Sequence, residues 1–229
     1  MPDPVITLHG TKLSGHAHRA ELMLRLLGLP HAYKEAPAAV RATPGFLALN
    51  PMGQIPVLED GGMALADSNA ILTYLARRYD PSGRWLPDAP EGLAAVQRWL
   101  SVAAGDLAHG PAAARALALW GAPAGADPEQ VKTAALALWG VPVQPDPVRA
   151  KAIAARVFAV MEAHLAAPRA YLAAEHPTVA DVACYSYTAH APEGGVPLDP
   201  YPALRAWLGR VEALPGFVGM PRSPVPAAA

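Results

Sequence analysis

The chain has 229 residues, of which 52% are apolar and only 16% charged, with 18 basic residues against 19 acidic ones. A charged fraction below the roughly 25% of soluble domains, with this apolar content, excludes a disordered chain, and no Lys/Arg stripe offers a footprint for nucleic acid. A single cysteine, Cys184, excludes an internal disulfide framework, a Cys-rich zinc site and a dithiol redox pair.

The opening MPDPVITLHG has neither a basic leader nor a long apolar segment, and no uninterrupted apolar run of about eighteen residues occurs. The expectation is a soluble, cytoplasmic protein that does not engage a membrane. Val5–His9 is a short β-branched run and reads as a strand. After a turn at Gly10–Ser14, the apolar set Ala20, Leu22, Met23, Leu24, Leu26 and Leu27 predicts a helix ending at Gly28. Strands are expected at His31–Glu35, Ile55–Glu59 and Met63–Ala66, the last two joined by a Gly61-Gly62 hairpin. Pro56 must then sit at a strand beginning or an edge, because proline cannot donate to a ladder. Asp67-Ser68 cap a helix through Tyr79 with Ile71, Leu72 and Leu75 on one face.

The first eighty residues therefore alternate strand and helix, and Asp80–Pro90 is turn-rich. From Glu91 onward only helices are expected, at Glu91–Leu119, Pro147–Ala166, Thr178–Ala189 and Tyr201–Ala213, followed by a loop-like tail from Pro215. The organisation predicted is an α/β domain over 1–80, a linker over 81–90 and an all-α domain over 91–229.

One stretch repeats at an offset of nineteen. Leu117–Gly121 (LALWG) recurs at Leu136–Gly140, Pro123 at Pro142, Asp127-Pro128 at Asp146-Pro147 and Lys132 at Lys151, with eleven identities in twenty aligned positions. Two copies are too few for a solenoid, which needs about three. The local reading is a glycine-capped helix end, then Asp-Pro opening the next helix; the extra copy either sets Trp120 or Trp139 beside a pocket mouth or a subunit cleft, or is a self-contained surface elaboration.

Leu47–Gly61 (LALNPMGQIPVLEDG) and Ala66–Leu75 (ADSNAILTYL) resemble the thioredoxin-like domain of the cytosolic glutathione transferases, particularly serine-type classes such as phi. Ser14-Gly15-His16 followed by Arg19 is similar to that family's serine signature, Thr178–Asp181 to its helical-domain capping box, and Tyr201–Trp207 and Leu214–Phe217 to its closing helix. The resemblance covers nearly the whole chain. It implies a thioredoxin-like α/β domain followed by an all-α domain, glutathione as co-substrate with no metal, conjugation to small hydrophobic electrophiles, and a homodimer.

The resemblance also implies roles. Ser14 would donate a hydrogen bond to the glutathione thiolate, where helix capping alone would equally explain a serine. His9, at the position where many relatives carry tyrosine, is the second candidate. Ile55 would pair its backbone with the cysteinyl residue beside a cis Pro56. Ser68 and the helix-start N–H groups would take the γ-glutamyl carboxylate, and Asp67 the γ-glutamyl ammonium. Arg41 and Gln54 are candidates for the glycyl carboxylate. The acceptor pocket would draw on His16, Asp106, His109 and Arg115, beside Trp99 and Val102. Thr178 and Asp181 read as reciprocal capping, and Cys184 as core. Two other readings stand beside conjugation. One is a different glutathione-dependent enzyme (an isomerase, dehalogenase or peroxidase); the other is a non-catalytic glutathione-binding or interaction module. The absence of a cysteine near Ser14 argues against thiol oxidoreduction.

Overall fold

The computed structural model describes residues 6–121 and 146–223. Strand β1 (Ile6–Gly10) pairs in parallel with β2 (His31–Glu35) across the helix α1 (Gly15–Leu26), and antiparallel with β3 (Val57–Asp60). β3 turns back into β4 (Met63–Ala66), giving the order β2-β1-β3-β4. Gly61 and Gly62 have φ of 56° and 88°, the left-handed pair a tight hairpin requires. Two short helices, α2 (Ala38–Arg41) and α3 (Pro44–Leu49), fill the stretch that its prolines mark as loop; Thr43 caps α3 and Pro44 occupies its first turn. α4 (Ser68–Tyr79) then packs beside α1.

Alternation along β1 decides what each face does. Ile6 and Leu8 enter a core with Leu22, Met23, Leu58, Ile71 and Leu75, while the other face packs on a small cluster of Ala36, Phe46 and Val57. The large core runs on without a break into the helical half through Trp99, Phe158, Val182 and Trp207.

The helical half comprises α5 (Pro90–Ala104), α6 (Ala113–Trp120), α7 (Pro147–Ala166), α8 (Val179–Ala189) and α9 (Pro202–Glu212). The continuous helix expected over Glu91–Leu119 is broken. Gly105 ends α5, and a π-helical turn over Ala108–Ala112 accommodates Pro111, which has no N–H for the α-helical ladder. At that turn a Cβ on Gly110 would come within 2.9 Å of the Ala154 backbone, so glycine lets the turn press against α7. Asp146 caps α7 through Arg149 N, with Pro147 next, as the Asp-Pro reading expects. The second Trp of the repeat, Trp139, lies outside the described residues. Thr178 and Asp181 form the expected capping box on α8, and Asp181 also accepts from Leu172 N and Trp207 Nε1. The tail is anchored: Val218 O accepts from His18 Nε2, and the Phe217 ring sits edge-on to Tyr185. Among the described residues no helix is long and apolar enough to cross a membrane.

Candidate active site

Strand register gathers the site. β1 ends at Gly10 opposite Glu35 of β2; β3 begins at Val57, opposite both His9 and Ala66, the last residue of β4. The Thr11–Ser14 loop, the chain leading to α2, the Gln54–Pro56 turn and the Asp67-Ser68 helix start therefore all leave one end of the sheet. Residues from these four separate stretches are brought together by backbone pairing.

Ser14 is the N-cap of α1, its Oγ accepting from Ala17 N at 3.2 Å. A serine hydroxyl carries one proton and two lone pairs. The cap occupies a lone pair and is the only hydrogen bond of this hydroxyl among the described residues, so the O–H proton is left to donate. Capping and donation, alternatives in the sequence, are compatible in the structure.

Asp67 caps α4, Oδ1 accepting from Asn69 N and Ala70 N, both at 2.9 Å. Its φ of 74° makes it the one non-glycine residue with positive φ among the described residues, a strain of about 1–3 kcal/mol held where a helix starts. Ser68 follows, buried, with Oγ 3.2 Å from Arg19 Nη1 and 3.3 Å from His16 Nδ1. With Asn69 N and Ala70 N taken by Asp67 Oδ1, the Ser68 N–H and the dipole of a 12-residue helix favour an anion at this point.

Arg19, part of the serine signature but given no role from sequence, supports this corner. It is fully buried, its Nη1 also lies 3.4 Å from Asn69 Oδ1, and its guanidinium carbon lies 5.4 Å from the centre of the Tyr187 ring of α8. Its Nε and Nη2 have no partner among the described residues. His16 packs edge-on to the same ring at 5.0 Å. Burial, with the Arg19 charge second, pulls the His16 pKa down to about 3, so its imidazole is neutral at ordinary pH.

Ile55–Pro56 is a cis peptide, and Ile55 lies just beyond the ladder pair His9/Val57. Arg41 Nη1 donates to Gly53 O at 3.4 Å, its Nε buried without a partner among the described residues, which sets a guanidinium beside the turn that carries the exposed Gln54.

The remaining candidates sit apart from one another. His9 Nε2 lies 2.6 Å from Glu59 Oε1, and its ring meets Phe46 edge-on, on the sheet face opposite Leu8 and α1. Pleating turns its ring toward the Phe46 cluster. The four acceptor-pocket candidates do not converge. His16 faces the start of α4. Asp106 pairs with Arg156 at 2.5 Å, lining a cavity of about 130 Å³ between α5 and α7 with Arg98, Trp99 and Val102. His109 is exposed on the π-helical turn, and Arg115 is buried in an ion pair with Glu193. Sequence reasoning missed Tyr187, His190 and Glu193, which carry no local motif. Cys184 is buried in the core with its Sγ 3.6 Å from Trp99 O, and burial pushes its thiol pKa up. Among the described residues no group of three or more His, Cys, Asp or Glu side chains could hold a metal ion.

Comparison with known proteins agrees with this geometry. Residues 13–78 match the family model for the glutathione S-transferase N-terminal domain, and residues 128–215 that for the C-terminal domain. The chain is 37% identical over 99 residues to glutathione S-transferase 3 of Zea mays, covering 42% of this chain and 45% of that protein. It is 29% identical over 172 residues to glutathione S-transferase theta-1 of Rattus norvegicus, covering 75% and 66%. The match to the maize protein thus spans less than half of that relative's length. Among solved structures, a glutathione S-transferase from Pseudomonas fluorescens is 33% identical with a TM-score of 0.78, over 94% of this chain and 98% of that one. Two family models in order and a full-length relative at that identity establish that this chain belongs to the glutathione S-transferase family.

Proposed function

We propose that the chain is a serine-type, phi-like glutathione transferase that joins the glutathione thiolate to small hydrophobic electrophiles. The observation that carries this reading is the Ser14 hydroxyl: its oxygen caps α1, and it makes no other hydrogen bond among the described residues. A free thiol has a pKa of about 8.5, so only a few per cent is thiolate at neutral pH. A hydrogen bond to the charged sulfur, at about 1.5–3 kcal/mol, would lower that by roughly one to two units, and the α1 N-terminus would add about 0.3–1 kcal/mol.

In this reading Ser68 and the α4 N-terminus take the γ-glutamyl carboxylate, and Asp67 Oδ2 takes the ammonium while Oδ1 caps the helix. The Ile55 backbone pairs with the cysteinyl residue as a short added strand, and Arg41 with Gln54 takes the glycyl carboxylate. The thiol proton leaves to solvent. The sulfur lone pair then forms a C–S bond to the electrophile, whose leaving group departs with the bonding electrons. Residues 1–80 form the glutathione half, 81–90 the linker and 91–229 the acceptor half. A cytoplasmic homodimer acting in detoxification completes the proposal.

Retention on immobilised glutathione tests binding, and turnover of a generic electrophile such as an activated halobenzene tests catalysis. Retention with turnover supports the reading. Retention without turnover over a broad panel would replace it with a non-catalytic glutathione-binding module.

A further inference from the structure

Arg115 was expected to line an acceptor pocket, yet it is one of the largest fully buried side chains, sitting on α6 in the helical half. Its Nε donates to Glu193 Oε2 at 2.5 Å and its Nη1 to the carbonyl of Leu13 at 2.9 Å. Nη2 lies 3.4 Å from Ser223 Oγ, and the Trp120 ring covers the guanidinium at 5.4 Å. Glu193 is held in turn: its Oε1 lies 2.6 Å from His190 Nδ1 and accepts from Ser223 N at 3.1 Å. A Cβ on Gly194 would come within 2.5 Å of Arg115 N, so the short 3₁₀ turn bearing Glu193 presses directly on α6. This buried ion cluster has every arm assigned except in purpose.

Its reach to Leu13 supplies one. Leu13 immediately precedes Ser14, in a loop whose backbone is otherwise tied by Ser14 N donating to Thr11 O at 3.0 Å. On the other side of that loop, Lys12 Nζ pairs with Glu21 at 2.9 Å and lies 3.5 Å over the Tyr33 ring. The first half therefore holds Lys12, while the helical half holds the peptide that carries Ser14. A planar guanidinium can bond a carboxylate and a carbonyl at once in fixed directions, which the single ammonium of lysine cannot do.

We propose that Arg115 is a positioning residue for thiol activation: anchored by Glu193, it fixes the Leu13 carbonyl and thereby the direction of the Ser14 hydroxyl. The inference rests on the assignment of Ser14 as the thiolate donor. It makes activation of glutathione depend on α6, the 190–194 turn and the chain's closing segment, none of which supplies a glutathione contact in the proposed function.

The test is a double-mutant cycle on the ultraviolet thiolate titration of bound glutathione, with glutathione Kd measured alongside. Arg115→Lys should raise the thiol pKa by about one unit, with Kd changed less than about threefold, and lower kcat/KM at pH 7 by roughly three- to eightfold. In a Ser14→Ala background the same substitution should add no further shift. If Arg115→Lys does not fold, Arg115→Met combined with Glu193→Gln removes both buried charges together and should give the same titration. A normal thiol pKa in either folded variant, while Ser14→Ala shifts it, overturns the proposal and leaves Ser14 in place. An additive shift in the Ser14→Ala background also overturns it, since Arg115 would then act by another route. A titration that Ser14→Ala itself leaves unmoved removes the Ser14 assignment, and the proposal with it.

Discussion

The Arg19 guanidinium and the Ser68 hydroxyl lie 3.2 Å apart, joining the middle of the first helix to the opening residue of α4. Arg19 is fully buried with two nitrogens unpaired among the described residues, a costly arrangement for a residue serving stability alone. Burial lowers its pKa from the ordinary arginine value, and Tyr187, Cys184 and Asp67 nearby compensate only in part. Arg19→Met should therefore leave the melting temperature unchanged or raise it, while glutathione binding weakens by roughly tenfold or more. Thermal unfolding and a binding isotherm on the same variant check this; a large drop in Tm with intact affinity would make Arg19 structural.

Ser68→Ala and Arg41→Ala should act on binding rather than on chemistry, because the carboxylates they would contact are the same in ground and transition states. Loss of one charge-assisted bond costs about 1.5–3 kcal/mol, or roughly 10–150-fold in Kd for glutathione. Arg41 already reaches Gly53 O, in the turn that carries Gln54. An unmoved Kd in Arg41→Ala would place the glycyl carboxylate elsewhere.

His18 makes stability depend on acid. Its Nε2–H donates to Val218 O and its Nδ1 lies 2.8 Å from Ser186 Oγ, which locks a neutral ring between α1, α8 and the tail. Burial pulls its pKa from 6.5 to about 4. Between those values the unfolded chain binds the proton and the folded chain does not, so stability is full above about pH 6.5 and falls as pH drops toward 4. From pH 7 to pH 5 His18 should cost about 2 kcal/mol, and His16, shifted in the same direction, adds to this. Urea unfolding of the wild type and of His18→Gln at both pH values measures the difference. The variant is less stable at pH 7 but should lose less on acidification; equal losses would remove His18 from the effect.

What the sequence made legible was local. Asp67-Ser68 opening α4, the Thr178/Asp181 box and Asp146-Pro147 opening α7 each depend on neighbours within four residues, and all three caps are present. The first strand was legible from the β-branched run at Val5–His9 and the last two from the Gly61-Gly62 turn, whereas His31–Glu35 carries no β-branched residue. The break in the helix after Glu91 was written in Gly105 and Pro111, but an alanine-rich apolar pattern carries the helical period straight through both. His9 could not be placed without strand register, because one step along a strand exchanges the Leu8 face for the Phe46 face. Arg115 could not be placed because its partners, Leu13 and Glu193, lie 102 and 78 residues away. His16 was read forward along the helix toward an acceptor, whereas packing turns it onto Ser68, 52 residues on.

The most direct measurement is the ultraviolet titration of the thiolate in the glutathione complex of the wild type, Ser14→Ala and Ser14→Thr. Ser14→Ala removes the hydroxyl and its cap on Ala17 N, so some stability is lost, about 0.5–2 kcal/mol. The bound thiol pKa should rise by roughly one to two units in Ser14→Ala, remain near the wild-type value in Ser14→Thr, and leave glutathione Kd nearly unchanged in both. A bound thiol that titrates in Ser14→Ala as it does in the wild type would contradict the assignment of Ser14 as the group that activates glutathione.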